Sequence, residues 1–189
     1  MIPRRSFGDT GLEVGVLGLG TWAFGGWSYG PLDDREAARM VEAALDEGVD
    51  FFDTASNYGR GRSEELLGEI LGARRDRVVL CTKAGTEIEG GRAVKRFDAA
   101  SLEASLDRSL ARLRTDRVDV LLLHNPVGPE AGDEAPHEWL ERETRRGRVR
   151  FTGASMYGDR SDLERVLARG VDAVEARSSA LRTDFPESW

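Results

Sequence analysis

Apolar residues gather in short, nearly continuous runs at 14–19, 49–53, 78–82, 118–123, 149–155 and 173–176, and between the runs they recur at helical spacing. Runs without strict alternation suit strands buried on both faces of a parallel sheet. Successive runs start roughly twenty to forty residues apart, the length that a βα unit needs. The intervening helices have readable starts. Asp33 followed by Glu36 fits a capping box, after which Ala37, Met40, Val41, Ala44 and Leu45 share one stripe and Gly48 stops the helix. Ser63 is placed to cap a second helix that buries Leu66, Leu67, Ile70 and Leu71 ahead of Gly72. Leu102, Leu106, Leu110 and Leu113 define a third, capped by Asp98 or Ser101, and Trp139 and Leu140 anchor a fourth at 138–145. Ser161 and Glu164 box the fifth, whose Leu163, Val166 and Leu167 face inward before Gly170.

Such regular alternation predicts an α/β fold with a parallel sheet and right-handed crossovers, either open and doubly wound or closed as a barrel. A doubly wound dinucleotide-binding turn needs G-x-G-x-x-G, whereas Gly18-Leu19-Gly20-Thr21-Trp22-Ala23 puts alanine in the third glycine's place. The opening stretch 5–16, with Gly8-Asp9-Thr10-Gly11 between extended residues, predicts a β-hairpin ahead of the first strand.

Composition narrows the function classes. A length of 189 residues accommodates one domain over 1–189, and 40% apolar with 32% charged residues places it among globular proteins. The net charge of −7, with basic residues scattered, speaks against nucleic acid as a partner. The local run of Arg145, Arg146, Arg148 and Arg150 reads as a solvated helix end. No apolar stretch has the length of a secretory signal or a membrane span, so a cytoplasmic location without membrane contact is expected. Cys81, the single cysteine, follows Val78-Val79-Leu80 and reads as a buried strand residue; neither a disulfide framework nor a metal site is expected.

Four polar residues stand at or just past the ends of successive strand runs: Asp53, Tyr58, Lys83 and His124. Taken singly, each has a structural reading, as a cap, a core phenol, a solvated lysine or a structural histidine. Together they would share the face where a parallel barrel gathers its strand ends. A buried Lys83 ammonium beside Tyr58 would favour the phenolate and lower a pKa that starts near ~10, while Asp53 would keep the lysine charged. A tyrosine so tuned can give a proton to a carbonyl oxygen, with His124 orienting the carbonyl or sharing the proton.

The chain resembles the aldo-keto reductase family. The likeness rests on Leu17-Gly18-Leu19-Gly20-Thr21-Trp22, Gly48-Val49-Asp50-Phe51-Phe52-Asp53-Thr54-Ala55 with Tyr58-Gly59, Ser63-Glu64, Thr82-Lys83 and Leu122-Leu123-His124, in family order and reaching to about Leu181. It implies a (β/α)8 TIM barrel that binds NADP(H) and reduces a small-molecule aldehyde or ketone, with Asp53, Tyr58, Lys83 and His124 as the catalytic tetrad. It also implies Gly20, Thr21, Trp22, Ser155, Met156 and Glu175 as the positions near the cofactor. Two of these depart from the family pattern: Met156 replaces the asparagine of a Ser-Asn pair, and Glu175 replaces a glutamine, removing amide donors and adding a charge.

Only about six βα units with an N-terminal hairpin are visible where the family has eight, so NADP(H) binding is expected to be weak or lost. Six strands would leave two open edges, to be met by self-closure or by a homodimer with Phe185, Pro186 and Trp189 at the junction. Three functions follow: an NADP(H)-dependent carbonyl reductase, a redox-inactive relative using the cluster for proton transfer as a lyase, isomerase or cyclase, and a truncated homologue without catalysis.

Overall fold

The computed structural model describes residues 2–26, 30–157 and 160–176. Its centre is a six-stranded parallel sheet: β3 (Gly18–Gly20), β4 (Phe51–Asp53), β5 (Val79–Ala84), β8 (Val118–His124), β9 (Val149–Met156) and β10 (Ala173–Ala176), each hydrogen-bonded to the next in that order. The hairpin is present as β1 (Arg4–Ser6) against β2 (Glu13–Gly15). The run at 14–19 is therefore two elements. Its first half belongs to the hairpin, Val16 and Leu17 are exposed between the two, and only Gly18–Gly20 joins the sheet. A second hairpin, β6 (Thr86–Glu89) with β7 (Arg92–Lys95), follows β5 and was not anticipated.

Strand parity decides between the two α/β architectures. Side chains of Phe52, Leu80, Leu121, Leu123, Ala154 and Met156 pack in one cluster with those of α1 (Asp34–Asp46), α2 (Arg62–Leu71), α3 (Ala99–Leu113), α5 (Glu134–Arg145) and α6 (Arg160–Leu167). The alternate residues Phe51, Val79, Cys81, Val120 and Leu122 form a second cluster with Phe7, Leu12 and Val14 of the first hairpin. Helices on one face only, and a hairpin on the other, describe a half-barrel; a doubly wound sheet carries helices on both faces. Among the described residues the six strands do not close on themselves, since β3 and β10 stand at opposite ends of the sheet. Phe185, Pro186 and Trp189, expected at a dimer junction, lie outside the described residues.

The helix starts follow their caps in part. The Asp33 carboxylate accepts from Arg35 N–H in a capping box with Glu36, and Asp98 accepts from Ser101 N–H. Ser63 is not a cap: Gly61 precedes α2, and the Ser63 hydroxyl instead bonds Thr21 O and Oγ1 at 2.9 and 2.7 Å. Ser161 likewise lies inside α6. Met40 and Leu167, placed on buried stripes by spacing alone, are exposed because each sits at the stripe's margin, beyond the reach of the sheet. No described helix is long and apolar enough to cross a membrane.

Candidate active site

The inner parity of the strands carries the polar residues. Asp53 sits two positions beyond Phe51, Lys83 beyond Cys81, His124 beyond Leu122 and Glu175 beyond Ala173, so the inner face turns from apolar to ionisable at the C-terminal end of the sheet. His124, Ser155 and Glu175 are register neighbours across β8, β9 and β10. Tyr58 arrives from the turn after β4. That turn is clamped: a Cβ on Gly25 would lie 2.6 Å from Gly59 N, and Gly59 itself has φ +58°, so the segments after β3 and β4 press together through glycine alone.

Lys83, fully buried, pairs with the Asp53 carboxylate and donates to Thr54 O at 3.1 Å, while Glu175 Oε2 lies 3.1 Å from its Nζ. The ammonium lies 5.3 Å from the centre of the Tyr58 ring, and the His124 ring meets Tyr58 edge-on at 5.9 Å. The four residues singled out as a tetrad are thus brought together. Of the others, Ser155 and Glu175 belong to the same layer, and Trp22, 49% exposed, stands 6.5 Å from the Tyr58 ring. Gly20 ends β3 beside Asp53. Thr21 is buried with its hydroxyl donating to Asp53 O at 2.9 Å. Met156 points to the helical side and packs in the outer core.

Burial would discharge Lys83, but Asp53, with Cys81, Tyr58 and Glu175 adding, more than offsets it, and the ammonium is held well above its ordinary range. Tyr58 departs from expectation. Burial pushes its phenol up to about 12, helped by the Asp53 and Glu175 carboxylates and only partly countered by Lys83. The phenol is therefore a proton donor at neutral pH, burial and the two carboxylates together outweighing the lowering by Lys83. Burial, with Lys83 and Lys95 adding, lowers His124 from 6.5 to about 3, so its ring is neutral and can orient a carbonyl without serving as an acid near pH 7. Burial likewise drives the Cys81 thiol well above its usual value, in keeping with a core role.

The depressed His124 has a consequence for stability. Between its folded value of about 3 and the ordinary 6.5, the unfolded chain binds a proton that the folded chain refuses. Its contribution is complete above ~6.5 and is lost as pH falls, with a slope of up to ~1.4 kcal/mol per pH unit. Urea unfolding at pH 7, 6 and 5 should show this decline, and His124→Gln should flatten it; His137, also lowered by burial, adds in the same direction.

A profile of the family described as Aldo/keto reductase family matches residues 16–187. The chain is 34% identical over 166 residues to the aldo-keto reductase YhdN of Bacillus subtilis (strain 168), covering 86% of this chain and 50% of that protein. It is 34% identical over 158 residues to the L-galactose dehydrogenase of Arabidopsis thaliana, covering 80% and 48%. The structure of the aldo-keto reductase AKR11C1 from Bacillus halodurans (holo form) superimposes with a TM-score of 0.84 at 27% identity, over 95% of this chain and 58% of that one. The chain spans about half the length of these curated relatives. A family profile over nearly the whole chain, on the half-barrel and strand-end residues described above, leaves one conclusion: the chain belongs to the aldo/keto reductase family.

Proposed function

We propose that the chain carries the reducing centre of an NADP(H)-dependent carbonyl reductase in which Tyr58 is the general acid. The observation that supports this reading above the others is the convergence of Tyr58, Lys83, Asp53 and His124 in one layer, with the phenol protonated and the imidazole neutral. Tyr58 donates its proton to the carbonyl oxygen as the carbon is reduced; Lys83 steadies the phenolate left behind, and Asp53 and Glu175 keep Lys83 charged. His124 orients the carbonyl as a neutral hydrogen-bonding group. A bound NADP(H) supplies the hydride. The inner layer suits its reactive end: Ser155 offers a hydroxyl with no hydrogen-bond partner among the described residues, and the Glu175 carboxylate, 44% exposed, can accept from an amide.

Titration with NADPH and NADH, followed by nicotinamide fluorescence, tests the reading. Lys83 is committed to carboxylates and Lys95 to a hydroxyl and two carbonyls, so NADPH is expected to bind modestly and to exceed NADH by less than about tenfold, ~1.4 kcal/mol. No binding of either dinucleotide overturns the redox role.

A further inference from the structure

The second hairpin brings an unassigned lysine to the site. Lys95, the last residue of β7, donates to Thr86 Oγ1 at 2.9 Å, His124 O at 3.0 Å and Asn125 O at 2.7 Å, which occupies all three of its N–H groups. Thr86 Oγ1 donates to the same His124 carbonyl at 2.6 Å. Every one of these acceptors is uncharged, and no ion pair includes Lys95 among the described residues. A half-buried ammonium is usually paired with a carboxylate; here, beyond its hydrogen bonds, it is attracted by the more distant Glu130 of α4 (Pro129–Gly132) and by the face of the Phe97 ring, whose centre is 5.9 Å away, and burial holds it below its ordinary range. The segment it grips is an unusual one. Asn125 has φ +56°, and its buried side-chain oxygen lacks a partner among the described residues, as does His124 Nδ1.

We propose that Lys95 is a positioning residue of the candidate active site, its ammonium clamping the His124–Asn125 turn and setting the electrostatic surroundings of the imidazole from the hairpin side. The turnover consequence rests on the carbonyl-reductase reading; the effect on His124 does not. The imidazole is approached by Lys83 from β5 and by the Tyr58 ring from the turn after β4; Ser155 on β9 is the register neighbour of His124, Glu175 on β10 lies one strand beyond Ser155, and Asp53 pairs with Lys83. Lys95 is the member of this set that acts through the backbone.

The chain has two histidines, so side-chain 1H–15N spectra resolve His124 from His137, the former assigned by its loss in His124→Gln. In Lys95→Met the protonated fraction of His124 at pH 5 is expected to rise about tenfold, the effect of one pH unit in midpoint. Lys95→Arg, which keeps charge and donors, should restore the wild-type titration. If Lys95→Met does not fold, Thr86→Val removes one lysine contact and the second donor to His124 O, and should move His124 in the same direction by less. An unchanged His124 in these variants, or equal shifts in the Met and Arg variants, overturns the proposal. In turnover, Lys95→Met should lower kcat more than it raises KM, with Arg rescuing. A wild-type chain that reduces no carbonyl while Lys95→Met still shifts His124 sinks the reductase reading and leaves this inference standing.

Discussion

Tyr58→Phe is expected to lower kcat for carbonyl reduction by on the order of 10²-fold or more, with KM little changed, because a positioned general acid acts in the transition state. The phenol is protonated far into the alkaline range, its value pushed up to about 12, so the reduction rate should stay flat through neutral pH as far as this group is concerned. Alcohol oxidation needs the phenolate and should climb with pH in the same assay. Lys83→Met should cost as much as Tyr58→Phe by another route: without the ammonium the phenolate has no counter-charge, and Glu175, already raised by burial, is left beside Asp53 with no cation between them. Steady-state kinetics over a pH series measures both. Near-normal turnover in Tyr58→Phe would end the assignment.

The largest stability effect is expected at the opposite end of the sheet. Asp119, buried near the start of β8, accepts from Arg75 at 2.8 Å, from Leu80 N–H at 3.0 Å and from Arg150 at 2.9 Å. Arg75, also buried, bonds Val78 O and Arg117 O, both at 3.1 Å, and ties the turn after α2 to β5 and β8. Asp119→Ala would leave a buried guanidinium without its counter-ion and a strand N–H without an acceptor. Breaking a buried pair from one side costs ~3–5 kcal/mol, and urea denaturation should show a loss of that size. Asp119→Asn, which keeps one acceptor oxygen, should lose less. A loss below ~1 kcal/mol in Asp119→Ala would show that Arg75 finds water instead.

Much of this was legible in the sequence because buried parallel strands are written as apolar runs, and residues at or just past the ends of such runs gather where a parallel barrel brings its strand ends together. That is how Asp53, Lys83 and His124 could be placed on one face. Spacing does not fix how wide a buried stripe is, so Met40 and Leu167 were misplaced at its margins. Nor does a serine near a helix start reveal that its hydroxyl is claimed by another loop, as Ser63 is by Thr21. The second hairpin did carry a signal: Gly90 and Gly91, with φ +55° and +80°, form a two-residue turn between alternating segments. The Tyr58 phenol was misjudged because its burial, which the sequence does not display, raises it more than Lys83 lowers it, with Asp53 and Glu175 adding to the rise.

Because β3, β4, β5, β8, β9 and β10 are hydrogen-bonded in the order in which the chain visits them, each pairing closes a loop of only roughly twenty to forty residues. Loop-closure entropy is then met one crossover at a time, each doubling of loop length costing only about 0.6 kcal/mol. The sheet can assemble in the direction of synthesis, every strand docking on the edge its predecessor has just formed. Glu175, on the last described strand, completes the charge cluster, so a chain halted before β10 would hold Lys83 with Asp53 as its one carboxylate and Thr54 O as a further acceptor.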